Sequence, residues 1–170
     1  MKSLYFKFTF LVLVLVLNSS ISFSQEDENG NISTENKVSE SNIGGDLSAA
    51  QIDEFLKSHN KLREEVGTPP LTWSNDLAAY AKAWGEQLSQ TGCKMEHRPR
   101  SGEWEQKYGE NLWWGMGFTP TPFTAVDSWG SEKKDYDGGV MNDKNFAAGH
   151  YTQVIWSKTT QVGCAIVQCS

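Results

Sequence analysis

Three helix-period segments, each with its own start and stop signals, alternate along this chain with short strand-like runs, and that order restricts the fold more than any other feature. Ser48 can open the first segment, with Gln51 three residues later in capping-box register. Ile52, Phe55, Leu56, His59, Leu62 and Val66 then recur at steps of three and four, which makes one helical face. Gly67 and the pair Pro69-Pro70 end it. A second helix starts at Ser74 or Asn75, with Leu77, Tyr80, Ala81, Trp84 and Leu88 on one face and Gly92 as its stop. A third begins at Thr121, with Pro122 in the first turn, where proline costs no hydrogen bond, and Phe123, Val126 and Trp129 facing inward. Residues 111–116 (NLWWGM), closed by Gly117, and residues 162–169 (VGCAIVQC) read as strands. Residues 150–156 stay ambiguous: Thr, Val and Ile favour a strand, and the length also permits a short helix. The pattern predicts an α+β domain, helices packed on a small antiparallel sheet.

The N-terminal end has a different character. Lys2 and Lys7 precede the uncharged run FTFLVLVLVL over residues 8–17, and Ser22 and Ser24 supply small residues at a cleavage position. Ten residues are half of the ~20 that a membrane span needs, so residues 1–24 read as a signal peptide followed by release, with an uncleaved anchor as the alternative. Residues 25–46 are rich in Asn, Ser and Glu and nearly free of large apolar side chains, so they read as a disordered acidic leader. Asn31-Ile32-Ser33 within it is a glycosylation sequon if the source is eukaryotic. The whole chain has 15 basic and 21 acidic residues; residues 1–46 hold three and six of these, which leaves a net charge of −3 on residues 47–170. A near-balanced domain with no basic run offers no electrostatic basis for nucleic-acid binding.

Residues 149–156 (GHYTQVIW) closely resemble the first signature of the CAP superfamily, which comprises cysteine-rich secretory proteins, antigen 5 and pathogenesis-related class one proteins. Four further elements follow that family's order: His59-Asn60 with Arg63, Leu71-Thr72-Trp73-Ser74, Tyr108-Gly109-Glu110-Asn111-Leu112, and Trp129 with Glu132, Tyr136 and Asp137. The resemblance covers roughly residues 50–169 and implies an α-β-α sandwich in which 150–156 forms a short helix. It also implies that the sheet's last strand is missing here, because the sequence stops at Ser170 before the family's second signature, as a fragment or a shortened member would.

The same resemblance implies a shallow cleft where His97, Glu110, Glu132 and His150 converge. These residues lie 13, 22 and 18 positions apart and form no local metal motif. Imidazoles suit zinc or another divalent cation, so His97 and His150 are the candidate ligands of a weakly bound metal, with Glu110 and Glu132 orienting them or acting on water. Two histidines fall short of the three protein ligands usual in catalytic zinc centres. The bland alternative is a hydrogen-bonded polar cluster. A serine nucleophile is disfavoured: a Ser often follows the first cleft histidine in the family, whereas Arg98 stands here and Ser101 is separated by Pro99 and Arg100. No catalytic residue is assigned; a metal-dependent hydrolase using Glu110 or Glu132 is the runner-up to a non-enzymatic, defence-type binding protein.

Further expectations concern the ligand surface and the cysteines. All seven Trp lie between residues 73 and 156; Trp73, Trp84, Trp129 and Trp156 are expected in the core, and Trp104, in the polar loop RPRSGEWEQ, is the candidate for an exposed binding surface. Some family members bind sterols or fatty acids, so the resemblance implies a small apolar ligand, or else a secreted or cell-surface protein partner held by loops. His59, on an apolar helix face, reads as a framework histidine. Three Cys in an exported chain imply one disulfide and one leftover. The plant-type pattern would join Cys93 to Cys169, leaving Cys164 unpaired, buried or dimer-forming. The oligomeric state is left open.

Overall fold

The computed structural model describes residues 8–16 as backbone, and residues 47–116, 121–139 and 146–169. The acidic leader and its sequon fall outside the described residues. The elements in chain order are β1 (Phe8–Val16), α1 (Ala49–Glu64), β2 (Thr72–Trp73), α2 (Asn75–Gln90), β3 (Gly109–Met116), α3 (Pro122–Gly130), α4 (Gly149–Val154) and β4 (Gln161–Cys169). Two 3-10 turns, Ser131–Asp135 and Phe146–Ala148, lie between α3 and α4.

Helix starts follow the local chemistry of the sequence. Ser48 and Gln51 form a reciprocal capping box on α1, Ser74 caps α2 through the Leu77 N–H, and Thr121 caps α3 with Pro122 behind it. The end of α2 turns through two consecutive left-handed residues, Gly92 (φ 86°) and Cys93 (φ 58°), and the Cys93 N–H bonds back to the Leu88 carbonyl at 2.8 Å. A left-handed non-glycine residue is unfavourable. At Cys93 the covalent bond to Cys169 holds it, tying the end of α2 to the end of β4. Closing a loop with a sequence separation of 76 contributes roughly 4 kcal/mol in the chain-entropy account.

The sheet runs in the order β2-β4-β1-β3. β1 pairs antiparallel with both β3 and β4, whereas β2 lies parallel to β4, so the sheet is mixed rather than wholly antiparallel. β1 belongs to the stretch that the sequence marks as an export signal. A chain cut after residue 24 would keep β2, β3 and β4 and lose the strand between the last two.

Helices cover both faces of the sheet. On one face Ile52, Phe55, Ala125, Val126, Trp129 and Val154 of α1, α3 and α4 pack with Val162 and Cys164 of β4. On the other, Leu77, Ala81, Trp84 and Leu88 of α2 pack with Leu112 and Ala165. The switch of clusters between Cys164 and Ala165 is the period-two alternation of a strand buried on both faces. Gly163 permits the closest approach: a Cβ there would lie 2.2 Å from the Ala78 backbone nitrogen in the first turn of α2. Three residues expected inside are instead exposed. Phe123 and Trp156 stand on the surface, and Val66 falls past the end of α1. Phe123 sits in the second helical position of α3, where Ala125, Val126 and Trp129 already fill the inner face.

Candidate functional site

The region around His97 is irregular chain between α2 and β3, held in place by its neighbour. Arg98 is buried, and its guanidinium lies 3.7 Å above the Tyr80 ring, with Trp84 at 5.3 Å and Trp104 at 5.4 Å. Its Nη2 donates to the Tyr80 carbonyl at 2.6 Å, and Nε faces Glu110 Oε2 at 4.0 Å, beyond hydrogen-bond reach. Burial lowers the Arg98 pKa from its ordinary value, opposed by Tyr80 and Glu110; a guanidinium stays charged regardless. Cation–π contact with three rings provides the environment such a charge needs away from water.

Glu110, the second residue of β3, is buried, and a single oxygen meets two donors. Oε1 lies 2.7 Å from His97 Nδ1 and accepts the Arg98 backbone N–H at 3.1 Å. The imidazole itself remains half exposed. Trp104 is therefore not the exposed surface residue that its polar loop suggests: it is partly buried, packs against Trp84 at 5.8 Å and forms a wall of the Arg98 box.

The second pair is built from α3 and α4. Glu132 lies in the 3-10 turn that continues α3, and His150 is the second residue of α4, which settles the ambiguous stretch as helix over Gly149–Val154. Glu132 Oε1 is 2.7 Å from His150 Nδ1, while Oε2 accepts the backbone N–H groups of His150 at 2.9 Å and Tyr151 at 3.2 Å. The carboxylate thus satisfies orphan donors at the start of α4. Trp129 stacks on the His150 ring at 6.3 Å, and Asn111 Nδ2 donates to the His150 carbonyl at 3.0 Å, linking β3 to α4. Arg63 holds the far end of the same helix. From α1 it donates to the carbonyls of Pro69, Val154, Trp156 and Thr159 at 2.7–3.0 Å.

His97 and His150 both line one hollow of about 450 Å³, together with Met95, Leu112, Trp113, Trp114 and Ser128. Their partner carboxylates sit behind them. Each imidazole gives Nδ1 to a carboxylate, and neither Nε2 has a hydrogen-bond partner among the described residues. That is the orientation in which histidine serves a metal through its other nitrogen. The donor set is small, however: among the described residues no group of three or more His, Cys, Asp or Glu is placed to hold one ion. Two imidazoles alone would leave the remaining positions around a cation to water.

His59 lies apart from both pairs. It is fully buried on α1, with Nδ1 3.0 Å from the Phe55 carbonyl and Trp129 at 6.3 Å. Burial pushes its pKa down to about 4, with the Phe55 bond opposing and Arg63 reinforcing the shift. Cys164 is also fully buried and unpaired, and burial raises its thiol well above the ordinary value, which makes it inert as a nucleophile in this fold. Ser101 has no hydrogen bond to either cleft histidine. Sequence reasoning missed the aromatic box of Arg98 and the part of Met95, Trp114 and Ser128 in the hollow; the run of aromatics flanking a lone arginine was the available signal.

An α-β-α sandwich carrying two histidine–carboxylate pairs on one cleft defines a cysteine-rich secretory, or CAP, protein, and the family model of that description matches residues 56–170: this chain belongs to the family. Among known proteins it is similar to pathogenesis-related protein 1C of Nicotiana tabacum, 41% identical over 122 residues that make up 69% of this chain and 66% of that protein. Pathogenesis-related protein 1 of Arabidopsis thaliana is 42% identical over 117 residues, covering 69% and 67% of the two chains. The STS14 protein of Solanum tuberosum is 40% identical over 121 residues, 68% of this chain and 53% of its own length.

Proposed function

We propose that this is a secreted, defence-type CAP protein that acts by binding, and that its cleft takes up a divalent cation weakly through His97 and His150. The carrying observation is that both imidazoles line one hollow with Nδ1 engaged by a carboxylate and Nε2 without a hydrogen-bond partner among the described residues. Glu110 and Glu132 fix the rings; a bound cation would supply Lewis acidity beside the apolar wall of Trp113 and Trp114. The apolar run after Lys7 supports export, as does the Cys93–Cys169 disulfide, a bond that persists in oxidising compartments. No helix among the described residues is long and apolar enough to cross a membrane. The defence role rests on the pathogenesis-related proteins to which the chain is similar.

A second hollow supports an apolar ligand as well. Between α1 and α3 a groove of about 430 Å³ is lined by Leu62, Phe123 and Val126, with Lys57 and Lys61 on its wall. Glu65 and Asp127 share the lining and Lys57 pairs with Asp53 at 2.7 Å, so it is the apolar strip, not charge, that supports a small apolar ligand, whether fatty acid or sterol.

Calorimetry with zinc chloride tests the cleft. The intact chain is expected to take up zinc, a His97→Ala/His150→Ala variant to lose that uptake, and the zinc-loaded chain to show no peptide or ester turnover. Metal-dependent turnover abolished by Glu110→Gln would replace binding with hydrolysis as the function, and zinc uptake unchanged in the double variant would remove the cleft assignment.

A further inference from the structure

His97 stands between two hollows of opposite character. One is the apolar-walled cleft shared with His150. The other, about 400 Å³, is lined by His97, Arg100, Gln106, Lys107, Tyr108, Gly109, Glu110 and Gln153. The side chains of Arg100 and Lys107 form no ion pair or hydrogen bond with any described residue, so two unpaired positive charges enter this second hollow. Glu110 also reaches this lining: its Oε1 engages His97 and the Arg98 N–H, its Oε2 faces Arg98 Nε at 4.0 Å without a hydrogen bond, and two cations of the lining stand against this one carboxylate.

The floor of the hollow is shaped for a polar guest. Gln153 of α4 has no side-chain hydrogen bond among the described residues, and its amide lies directly over Gly109. A Cβ at Gly109 would sit 2.6 Å from Gln153 Oε1, so glycine at the start of β3 is what admits the amide there. Two cations and an amide without side-chain partners among the described residues, with an imidazole beside them, outnumber the one carboxylate of the lining, and this excess of donors suits the oxygens of an acid group.

We infer that this hollow is an anion subsite of the cleft: it takes the carboxylate or phosphate of a ligand whose aromatic or apolar body passes His97 and lies against Met95, Trp113 and Trp114. The assignment rests on the reading that the cleft binds ligands and adds a charge preference to it. The exposed cations act through water and salt, so their expected effect is modest, about fivefold to tenfold in affinity for the pair.

The test uses three probes of similar body: 4-phenylbutyrate, 4-phenylbutyl phosphate and the neutral 4-phenylbutanol, titrated against the full chain by calorimetry and tryptophan fluorescence. The acids are expected to bind about fivefold to tenfold more tightly than the alcohol, and to lose that advantage in Arg100→Glu/Lys107→Glu, while the alcohol is unaffected. Raising the salt should weaken the acids alone. The tighter of the two acids identifies the anion. Equal affinities for acid and alcohol, or an acid preference that survives the charge reversal, would overturn the subsite. Zinc uptake with no binding of any probe would also overturn it while leaving the metal reading intact. Loss of zinc uptake and probe binding together would remove both.

Discussion

His97 and His150 present Nδ1 to a carboxylate oxygen at the same 2.7 Å, yet the two carboxylates are held in different ways. Glu110 is almost wholly enclosed, at 1% side-chain exposure, beside a buried arginine that three aromatic rings surround. Glu132 is 22% exposed, lacks an arginine partner among the described residues, and is fixed by two main-chain N–H groups at the start of α4. The first pair depends on side chains from α2, the following loop and β3. The second depends on how one turn meets one helix end. Equal distances therefore conceal unequal dependence on the rest of the molecule, and the first pair should be the harder one to disturb without unfolding.

The largest expected effect comes from Arg98→Ala. It empties the aromatic box and leaves the Glu110 carboxylate buried without its cation, which should cost about 3 kcal/mol in urea unfolding at neutral pH. A loss below about 1 kcal/mol would show that the box is incidental to the fold.

Acid sensitivity is expected from the buried His59. The folded pKa of His59 is about 4 against an ordinary 6.5, so between those values the unfolded chain binds the additional proton. Its contribution is fully present above pH 6.5 and is lost as pH falls towards 4, by up to ~3 kcal/mol. Urea midpoints measured from pH 7 to 4.5 should fall more steeply for the wild type than for His59→Gln. Parallel curves would mean that other groups govern acid unfolding.

The smallest effect belongs to Glu132→Ala, which removes the acceptor for the His150 and Tyr151 N–H groups. A cost of about 1–2 kcal/mol is expected, the scale of a lost helix cap, because water can partly replace a carboxylate that is 22% exposed. A cost equal to that of Arg98→Ala would erase the distinction between the pairs. In both variants the partner histidine should lose its fixed orientation, so zinc uptake should weaken together with stability.

Local chemistry was legible along much of the chain. Ser48, Ser74 and Thr121 cap the helices they were expected to open, since a cap is a bond between residues three apart. The apolar run ending at Cys169 forms a strand because it is buried on both faces. The stretch after Gly149 was legible only through family resemblance: its β-branched residues favour a strand, and tertiary contact overrides them, with Glu132 holding the first N–H groups and Arg63 accepting the load of the last carbonyls through its donors.

What the sequence by itself determined is therefore the three capped helices and the strands at residues 111–116 and 162–169, with ends within a residue or two but without β1 or β2, and the identity of side chains able to bind metal or carry charge. Only the tertiary structure decided which carboxylate meets which imidazole, that Trp104 closes a box around Arg98, that Phe123 and Trp156 face outward, and that Arg100 and Lys107 share a hollow with Gln153. Caps and turns depend on neighbours within one turn of chain and are written in local order. The pairs and hollows join residues 13 to more than 50 positions apart, whose meeting depends on how helices and sheet pack together.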